Sequence, residues 1–345
     1  MMGVLNHLSA LLLLSLLPPS LSEVVNRFDP KCSDFFLKGT TPNLPGILVG
    51  GIVLNPDQDP DRYKLICQKY EGKYRFATLY DTTNKIPVFS AYTYTDAPEG
   101  RPKISWMIEP QLEALTNQLD MKVDQTVIKQ AADADYKVKI ENMEIDRGHL
   151  FPCLYAPDED TKKSTFTLTN AVPQVRSFNQ GSWRTMECSV RKKLMTDCLD
   201  SNGKINAYVV TGAVPSESNK LNNRVNIPSL LWTAYCCYNH NQRQWVAGAH
   251  WGENQWEEKG KGKPKKTLPS KTLAELYKML NPDGGVKVFP DDCQNGKQDD
   301  TGRNGEAGAG QKRQGEMSGG SKGSIKKPRE TGDEENDCDF DCDEE

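Results

Sequence analysis

The cysteines constrain this chain more than any other sequence feature. The 345 residues contain ten cysteines, and eight of them fall between Cys32 and Cys293. An apolar run from Leu8 to Leu17, followed by small residues up to Ser22, has the length and ending of a secretory signal. Cysteines in a secreted chain form disulfides. We therefore predict a signal peptide over residues 1–22 and a disulfide-linked domain behind it, with the pairing left open. The alternative for the apolar run is a buried N-terminal helix.

Composition changes sharply after Cys293. Residues 294–345 carry 8 Lys/Arg against 14 Asp/Glu and almost no apolar side chains. Such a segment cannot bury enough surface to offset its ordering entropy, so we predict a disordered acidic tail. Residues 23–293 carry 35 Lys/Arg against 33 Asp/Glu. A nucleic acid would therefore have to bind through local basic patches rather than through bulk charge.

One such patch is the lysine-rich segment 259–266, which reads equally well as a solvated loop. No stretch beyond residue 22 is apolar enough for a membrane anchor. Together with the predicted signal, this indicates a secreted, extracellular protein without an anchor.

Residue patterning predicts a sheet with a few helices. Alternating β-branched and aromatic residues predict strands, and leucines at helical spacing predict helices. The predicted strands are 65–67, 74–80, 86–94, 164–169, 207–212, 225–237 and 244–249. The helix-compatible segments are 108–134, 178–198 and 268–280.

Four consecutive residues, Asp146-Arg147-Gly148-His149, suit phosphodiester hydrolysis. That reaction needs a proton acceptor for water and stabilisation of charge on the phosphate and leaving oxygen. His149 titrates near neutral pH and can serve as the base. Arg147 offers a forked donor for phosphate oxygens. The alternative is a surface turn with an ion pair.

A second group follows at helical spacing. Asn179, Trp183 and Glu187 stand at i, i+4 and i+8, with Arg191 one turn further, so one helix face would carry all four. The Asn179 amide oxygen suits a hard divalent cation, Glu187 can hold a water of that cation, and Arg191 can reach phosphate. The alternatives are a helix cap at Asn179, a surface Glu187–Arg191 pair and a core position for Trp183.

Taken together with 169–174, these motifs resemble the DNA/RNA non-specific endonuclease family with the ββα-metal fold. Segments 36–39, 66–70, 77–81 and 86–92 are similar to its secreted branch, called endonuclease domain-containing 1 protein. The resemblance covers roughly residues 30–280. It implies an α+β fold with a central, mostly antiparallel sheet flanked by helices. The endonuclease domain would be residues 23–293.

The resemblance also implies roles for the site residues. His149 would be the general base, and Asn179 would be the only direct protein ligand of one Mg²⁺, with Mn²⁺ as a substitute. Glu187 would sit in the water shell of the metal. Arg147 and Arg191 would contact phosphate.

Two further points follow from the resemblance. Asp146 would orient the site. The family pattern has a further arginine on an early strand, near Gln68 and Lys69 of this chain. Lysine lacks the bidentate fork of arginine, so either Lys69 substitutes or another arginine supplies the role.

The motifs therefore predict a secreted, Mg²⁺-dependent, non-specific endonuclease. It would cut DNA, RNA or both into fragments that end in 5′-phosphate. The alternative from another class is a secreted nucleic-acid-binding or interaction protein that keeps the fold with little or no turnover. A zinc module from Cys236, Cys237 and His240 is a third reading, although adjacent cysteines lack the usual zinc spacing.

Overall fold

The computed structural model describes residues 23–295 apart from 57, 99, 119, 124–125, 139, 141–142 and 259–266. The predicted signal peptide, the lysine-rich segment and the predicted tail from 296 onward lie outside the described residues. The longer strands, numbered in chain order, are β1 (Glu23–Val25), β2 (Tyr63–Tyr70), β3 (Lys73–Asp81), β4 (Ile86–Tyr94), β5 (Ile145–His149), β6 (Ala171–Val175), β7 (Ala207–Val214), β8 (Leu230–Asn239) and β9 (Gln244–Glu253).

Helices and short strand pairs connect these strands. The helices are α1 (Pro110–Glu113), α2 (Glu159–Ser164), α3 (Arg176–Phe178), a π-helical turn (Asn179–Trp183), α4 (Arg184–Asp197) and α5 (Leu273–Leu280). Two-residue strands pair as Leu48–Val49 with Ile52–Val53, Met107–Ile108 with Lys122–Val123, and Lys220–Leu221 with Val225–Asn226. Single 3-10 turns cover Ser33–Phe35, Leu37–Gly39, Asp133–Lys137, Cys153–Tyr155, Leu168–Asn170 and Asp291–Asn295.

Seven strands form one antiparallel sheet in the order β1-β2-β3-β4-β7-β8-β9. Strand side chains alternate between the two faces, and both faces are covered. Val209 belongs to the apolar core beneath β5, β6 and α4, whereas its neighbour Val210 belongs to the core beneath α5 and the N-terminal segment. This confirms the predicted α+β fold with a central antiparallel sheet flanked by helices. In the described parts of the chain, no helix is long and apolar enough to cross a membrane.

The adjacent cysteines of β8 connect to opposite sides of the sheet. Cys236 is bonded to Cys293 and Cys237 to Cys198. Neighbouring strand residues face opposite ways, so each cysteine reaches a different core. Because both sulfurs are used in disulfides, the zinc reading with His240 is wrong.

The other cysteines of the domain are also oxidised. Cys32 is bonded to Cys67, which ties the N-terminal segment to β2. Cys153 and Cys188 are disulfide-bonded as well, and no cysteine is free within the described ranges. Closing a loop of 35 residues, as the first of these does, contributes about 4 kcal/mol in the chain-entropy model.

The predicted helical character of 108–134 is mostly wrong. The helix is limited to Pro110–Glu113, and Leu115 is 67% exposed rather than packed. The carboxylate of Glu113 accepts hydrogen bonds from the backbone N–H groups of Ile128 and Lys129, at 2.9 and 3.0 Å. These contacts fold the segment back as a loop, so local leucine spacing does not decide its structure.

The predicted strand 164–169 is also wrong. The strand begins at Ala171. Phe166 is buried just after the end of α2, and Leu168 is buried in a 3-10 turn. Pro173 made this segment look like a connection. Pro173 is tolerated because β6 pairs with β5 in a two-stranded sheet. The other edge of β6 therefore needs no backbone N–H donor. Likewise, α5 begins only after Thr272, whose hydroxyl caps it.

A buried carboxyl group gives the fold a pH dependence. Glu109 is fully buried, and neither of its carboxyl oxygens has a hydrogen-bond partner in the region described. Burial, with a smaller contribution from Asp120, raises the pKa of Glu109 well above its ordinary 4.5. The folded state therefore favours the neutral acid. Its contribution to stability is complete below pH 4.5 and is lost as the pH rises through the folded-state pKa.

Replacing Glu109 by glutamine is expected to stabilise the protein increasingly as the pH rises. The gain is about 1.4 kcal/mol for each pKa unit separating the folded and unfolded states, because glutamine does not ionise. Urea unfolding of both proteins at pH 4.5, 6 and 7.5 measures it. A stability difference that stays constant over this range contradicts the expectation.

Candidate active site

Strands β5 and β6 and the helix after them form a ββα unit on one face of the sheet. His149 lies opposite Ala171 and Asp146 opposite Gln174. The motif is therefore strand rather than a surface turn. The side chain of Asn170 fixes the unit: its oxygen accepts from Ser90 Oγ and Phe151 N, both at 2.9 Å, and its nitrogen donates to two carbonyl groups.

Gly148 is required by the close approach of the two strands. A Cβ atom there would lie 2.0 Å from Gln174 Oε1 and 2.7 Å from Gln174 Cβ. Any larger residue would push β6 away from β5, because real Cβ contacts essentially never fall below 3.0 Å. The glycine therefore keeps Asp146 close to the helix that follows β6.

Asp146 binds the start of that helix. Its Oδ2 accepts from Asn179 Nδ2 and from Gln180 Nε2, both at 3.1 Å. Its Oδ1 accepts from Arg176 Nε at 2.8 Å. Because the amide nitrogen of Asn179 faces Asp146, its amide oxygen points to the opposite side. Asp146 thus orients a hard oxygen donor that is 6% exposed.

The helical segment after β6 carries the second predicted group. The N-cap is Val175, so Asn179 lies inside the helical segment and is not its cap. Trp183 Nε1 donates to Glu187 Oε1 at 2.9 Å, and the backbone carbonyl of Glu187 accepts from Tyr155 Oη at 2.6 Å. Trp183 is almost fully buried, which confirms the alternative that it is a core residue. The predicted i, i+4 relation between these side chains is also confirmed.

His149 lies between two aromatic rings. Its ring centroid is 5.0 Å from that of Trp106 and 4.8 Å from that of Phe166, and the residue is 3% exposed. His149 is three positions from Asp146 on β5, which separates their Cα atoms by about 10 Å at the rise of a strand. The candidate base and the oriented amide thus belong to one strand–helix unit.

The two predicted phosphate-binding arginines have protein contacts. Arg147 Nη2 lies 3.3 Å from Asp133 Oδ1, and its guanidinium lies over the Trp106 ring. Arg191 donates to Tyr94 Oη at 3.3 Å and to the carbonyl of Ala97 at 3.0 Å. Both guanidinium groups are therefore held in fixed orientations by protein contacts.

The structure brings a further arginine near His149. The Arg101 guanidinium lies 4.7 Å from the centroid of Phe166, the ring that packs edge-on against His149. Sequence reasoning missed Arg101 because it stands in a loop after Gly100 with no motif spacing. By contrast, Lys69 is buried beside the Tyr74 ring.

Burial also lowers the pKa of Lys69, while the nearby carboxylate of Asp120 acts in the opposite direction. A buried ammonium group whose charged form is disfavoured by burial is poorly suited to contact phosphate. Arg101 is therefore a better candidate than Lys69 for the role of the early-strand arginine in the family pattern.

The donor set suits a hard divalent cation. The Asn179 amide and the Glu187 carboxylate offer oxygen donors, which Mg²⁺ and Mn²⁺ prefer over nitrogen or sulfur. Across the described residues, no three His, Cys, Asp or Glu side chains form a metal-binding group. A cation at this place would therefore depend on few protein ligands and keep several waters.

Comparison with known proteins places the chain in a family. A family model described as DNA/RNA non-specific endonuclease matches residues 63–262. The chain is 30% identical to the endonuclease domain-containing 1 protein of Homo sapiens over 216 residues, which are 60% of this chain and 39% of the relative. It is 29% identical to a nuclease of Serratia marcescens over 133 residues, 38% of this chain and 43% of the relative. The chain thus spans about two fifths of the length of these curated relatives.

Among solved structures, a chain in the crystal structure of an EndoG/EndoGI complex gives a TM-score of 0.46. It is 17% identical and the match covers 66% of this chain and 86% of that one. The family model spans more than half of this chain and includes both strands of the ββα unit and the helix that carries Asn179. The resemblance inferred from the motifs is thereby confirmed, and the chain belongs to the DNA/RNA non-specific endonuclease family.

Proposed function

We propose that the protein is a secreted, divalent-metal-dependent endonuclease that hydrolyses phosphodiester bonds of DNA, RNA or both. The observation that carries the proposal is the Asp146–Asn179 contact at 3.1 Å. It fixes the direction of the one amide oxygen that the motif analysis assigned to the metal. The Asp146 carboxylate, whose side chain is 16% exposed, thereby selects the orientation of the amide.

His149 is the general base of the proposed reaction. It takes a proton from the attacking water, and the flanking Trp106 and Phe166 rings restrict the orientation of the imidazole. Asn179 holds Mg²⁺, with Mn²⁺ as a substitute, and Glu187 orients water beside it. The bound cation would supply charge neutralisation on the phosphate and on the leaving oxygen.

Arginines supply the remaining phosphate contacts. Arg147 and Arg191 are fixed by their protein partners, and the Arg101 guanidinium packs on Phe166, the ring that contacts His149. Guanidinium groups held in this way need little reorganisation when charge develops on phosphate. In this assignment, Arg101 rather than Lys69 makes the phosphate contact of the early-strand arginine in the family pattern.

The proposal extends to the whole chain. Residues 1–22 act as the signal, residues 23–293 as the endonuclease domain and residues 294–345 as an acidic tail. The disulfides support passage through an oxidising compartment. The competing function is a secreted nucleic-acid-binding protein without turnover, favoured by the absence of the early-strand arginine from its expected place at Lys69.

Cleavage of plasmid DNA and of RNA by the purified mature protein separates the two functions. With Mg²⁺ we expect nicking and then fragmentation without a fixed banding pattern, and with EDTA no cutting. A gel-shift measurement in EDTA checks that nucleic acid still binds. Binding without cutting in Mg²⁺ would support the binding protein, and cutting that persists in EDTA would contradict the metal assignment.

A further inference from the structure

A carboxylate from outside the ββα unit holds the turn that carries Asn179. Glu257 follows β9 in the chain. Its Oε2 accepts from Ser182 N at 3.0 Å and its Oε1 accepts from Ser182 Oγ at 2.6 Å. Its own backbone N–H donates to Ser177 Oγ at 2.8 Å. One residue therefore contacts the helical segment on both sides of Asn179.

The helix is irregular at the point of contact. Asn179–Trp183 is a π-helical turn, and Gly181 has φ −103° and ψ −115°, outside the helical region. A Cβ atom on Gly181 would lie 2.5 Å from Glu257 Oε2, so only glycine allows the carboxylate this close. Glu257 satisfies the Ser182 N–H at the irregular position. Single π-helical turns of this kind occur frequently at functional sites.

Glu257 ends a longer contact that we call the strap, residues 252–257. Asn254 accepts from Val175 N at 2.8 Å and donates to the Pro173 carbonyl at 3.0 Å. A Cβ atom on Gly252 would lie 3.0 Å from the Phe178 ring. The strap thus follows β6 and the helix start, and it connects them to the central sheet through β9.

We propose that Glu257 is a positioning residue for the metal ligand Asn179, which deepens and rests on the proposed function. A π-helical turn holds one more residue than an α-helical turn. If the turn relaxed to a regular α-helix, the residues before it would shift by one position, about 100° around the axis. Asn179 stands at the beginning of the turn, so its amide nitrogen would lose the contact with Asp146 that orients the amide oxygen. The Glu257 carboxylate prevents this by binding Ser182.

Three variants test the inference. Glu257→Gln keeps the side-chain shape but replaces one acceptor oxygen by an amide group. Ser182→Ala removes the Oγ donor and keeps the backbone donor. Glu258→Gln is the matched control, because it removes the same charge from the next, exposed residue. Mn²⁺ binding measured by electron paramagnetic resonance reports the metal site without relying on cleavage.

Glu257→Gln is expected to weaken Mn²⁺ binding about 10-fold or more, in the range seen when groups behind a metal ligand are removed. The Mg²⁺ concentration for half-maximal cleavage should rise by a similar factor, while the rate at saturating Mg²⁺ falls less. Ser182→Ala should show a few-fold shift in the same direction. Glu258→Gln should bind Mn²⁺ like the wild type.

The other possible outcomes also test the inference. If Glu257→Gln folds and binds Mn²⁺ like the wild type, the inference is overturned while the proposed function stands. If Glu258→Gln weakens binding equally, charge rather than geometry is responsible, and the inference also fails. If Glu257→Gln does not fold, unchanged binding by Ser182→Ala overturns it and weakened binding supports it. A wild type that neither binds Mn²⁺ nor cuts overturns the proposed function and this inference together.

Discussion

Replacing His149 by alanine is expected to lower the rate of plasmid cleavage by about 10²- to 10⁴-fold, the usual contribution of a general base. The imidazole is held between the rings of Trp106 and Phe166, and no neighbouring ring can accept a proton in its place. Initial rates at saturating Mg²⁺ measure the loss. His240→Ala is the matched control, because this histidine is exposed and packs on Tyr238 instead.

The pH profile separates a chemical role of His149 from a structural one. A general base must be deprotonated to accept a proton, so the wild-type rate should rise with pH as the imidazole loses its proton and then level off. The alanine variant should lose that rise, whereas a variant that is merely less stable should keep it at a lower rate. Mn²⁺ binding should stay close to wild type, since Asn179 and not His149 is the assigned ligand. Full activity of His149→Ala would remove the histidine from the reaction.

Replacing Asn179 by alanine should strongly reduce metal-dependent cutting at Mg²⁺ concentrations that half-saturate the wild type. Removal of a group behind a metal ligand lowers the metal affinity by about 10- to 100-fold. Removal of the ligand itself should lower it by at least about 100-fold. Mn²⁺ titration and cleavage at several Mg²⁺ concentrations measure both quantities. Raising the Mg²⁺ concentration should restore part of the activity, because the substitution lowers the affinity for the metal but leaves the general base His149 in place.

Gln180→Ala provides the comparison for Asn179→Ala. Gln180 Nε2 and Asn179 Nδ2 donate to the same oxygen of Asp146 at the same distance of 3.1 Å. If loss of a donor to Asp146 were the whole effect, both variants would behave alike. A much smaller loss in Gln180→Ala assigns the difference to the amide oxygen of Asn179. Equal losses in both would contradict its role as a ligand.

Local patterning was sufficient where the structure depends on neighbouring residues. The alternation in 74–80, 86–94 and 207–212 predicted β3, β4 and β7, and the periodicity from 178 predicted the long helix. Strand side chains alternate and helix side chains recur by geometry alone, so these signals survive folding. The order and spacing of the Asp146 and Asn179 motifs likewise indicate the family from the sequence alone.

Tertiary structure decided what depends on distant partners. Strand β6 was missed because its stability comes from pairing with β5 and outweighs the unfavourable Pro173. Whether Asn179 is a helix cap or an oriented ligand depends on Asp146, and spacing along the chain cannot show that contact.

Arg101 and Glu257 belong to no motif and become relevant only because folding places them beside Phe166 and Ser182. The sequence by itself thus determined strands β2, β3, β4, β7, β8 and β9, the long helix and the family. The fold decided the disulfide pairing, the direction of the amide and the residues that support it, because hydrogen bonds and packing act through space and not along the chain.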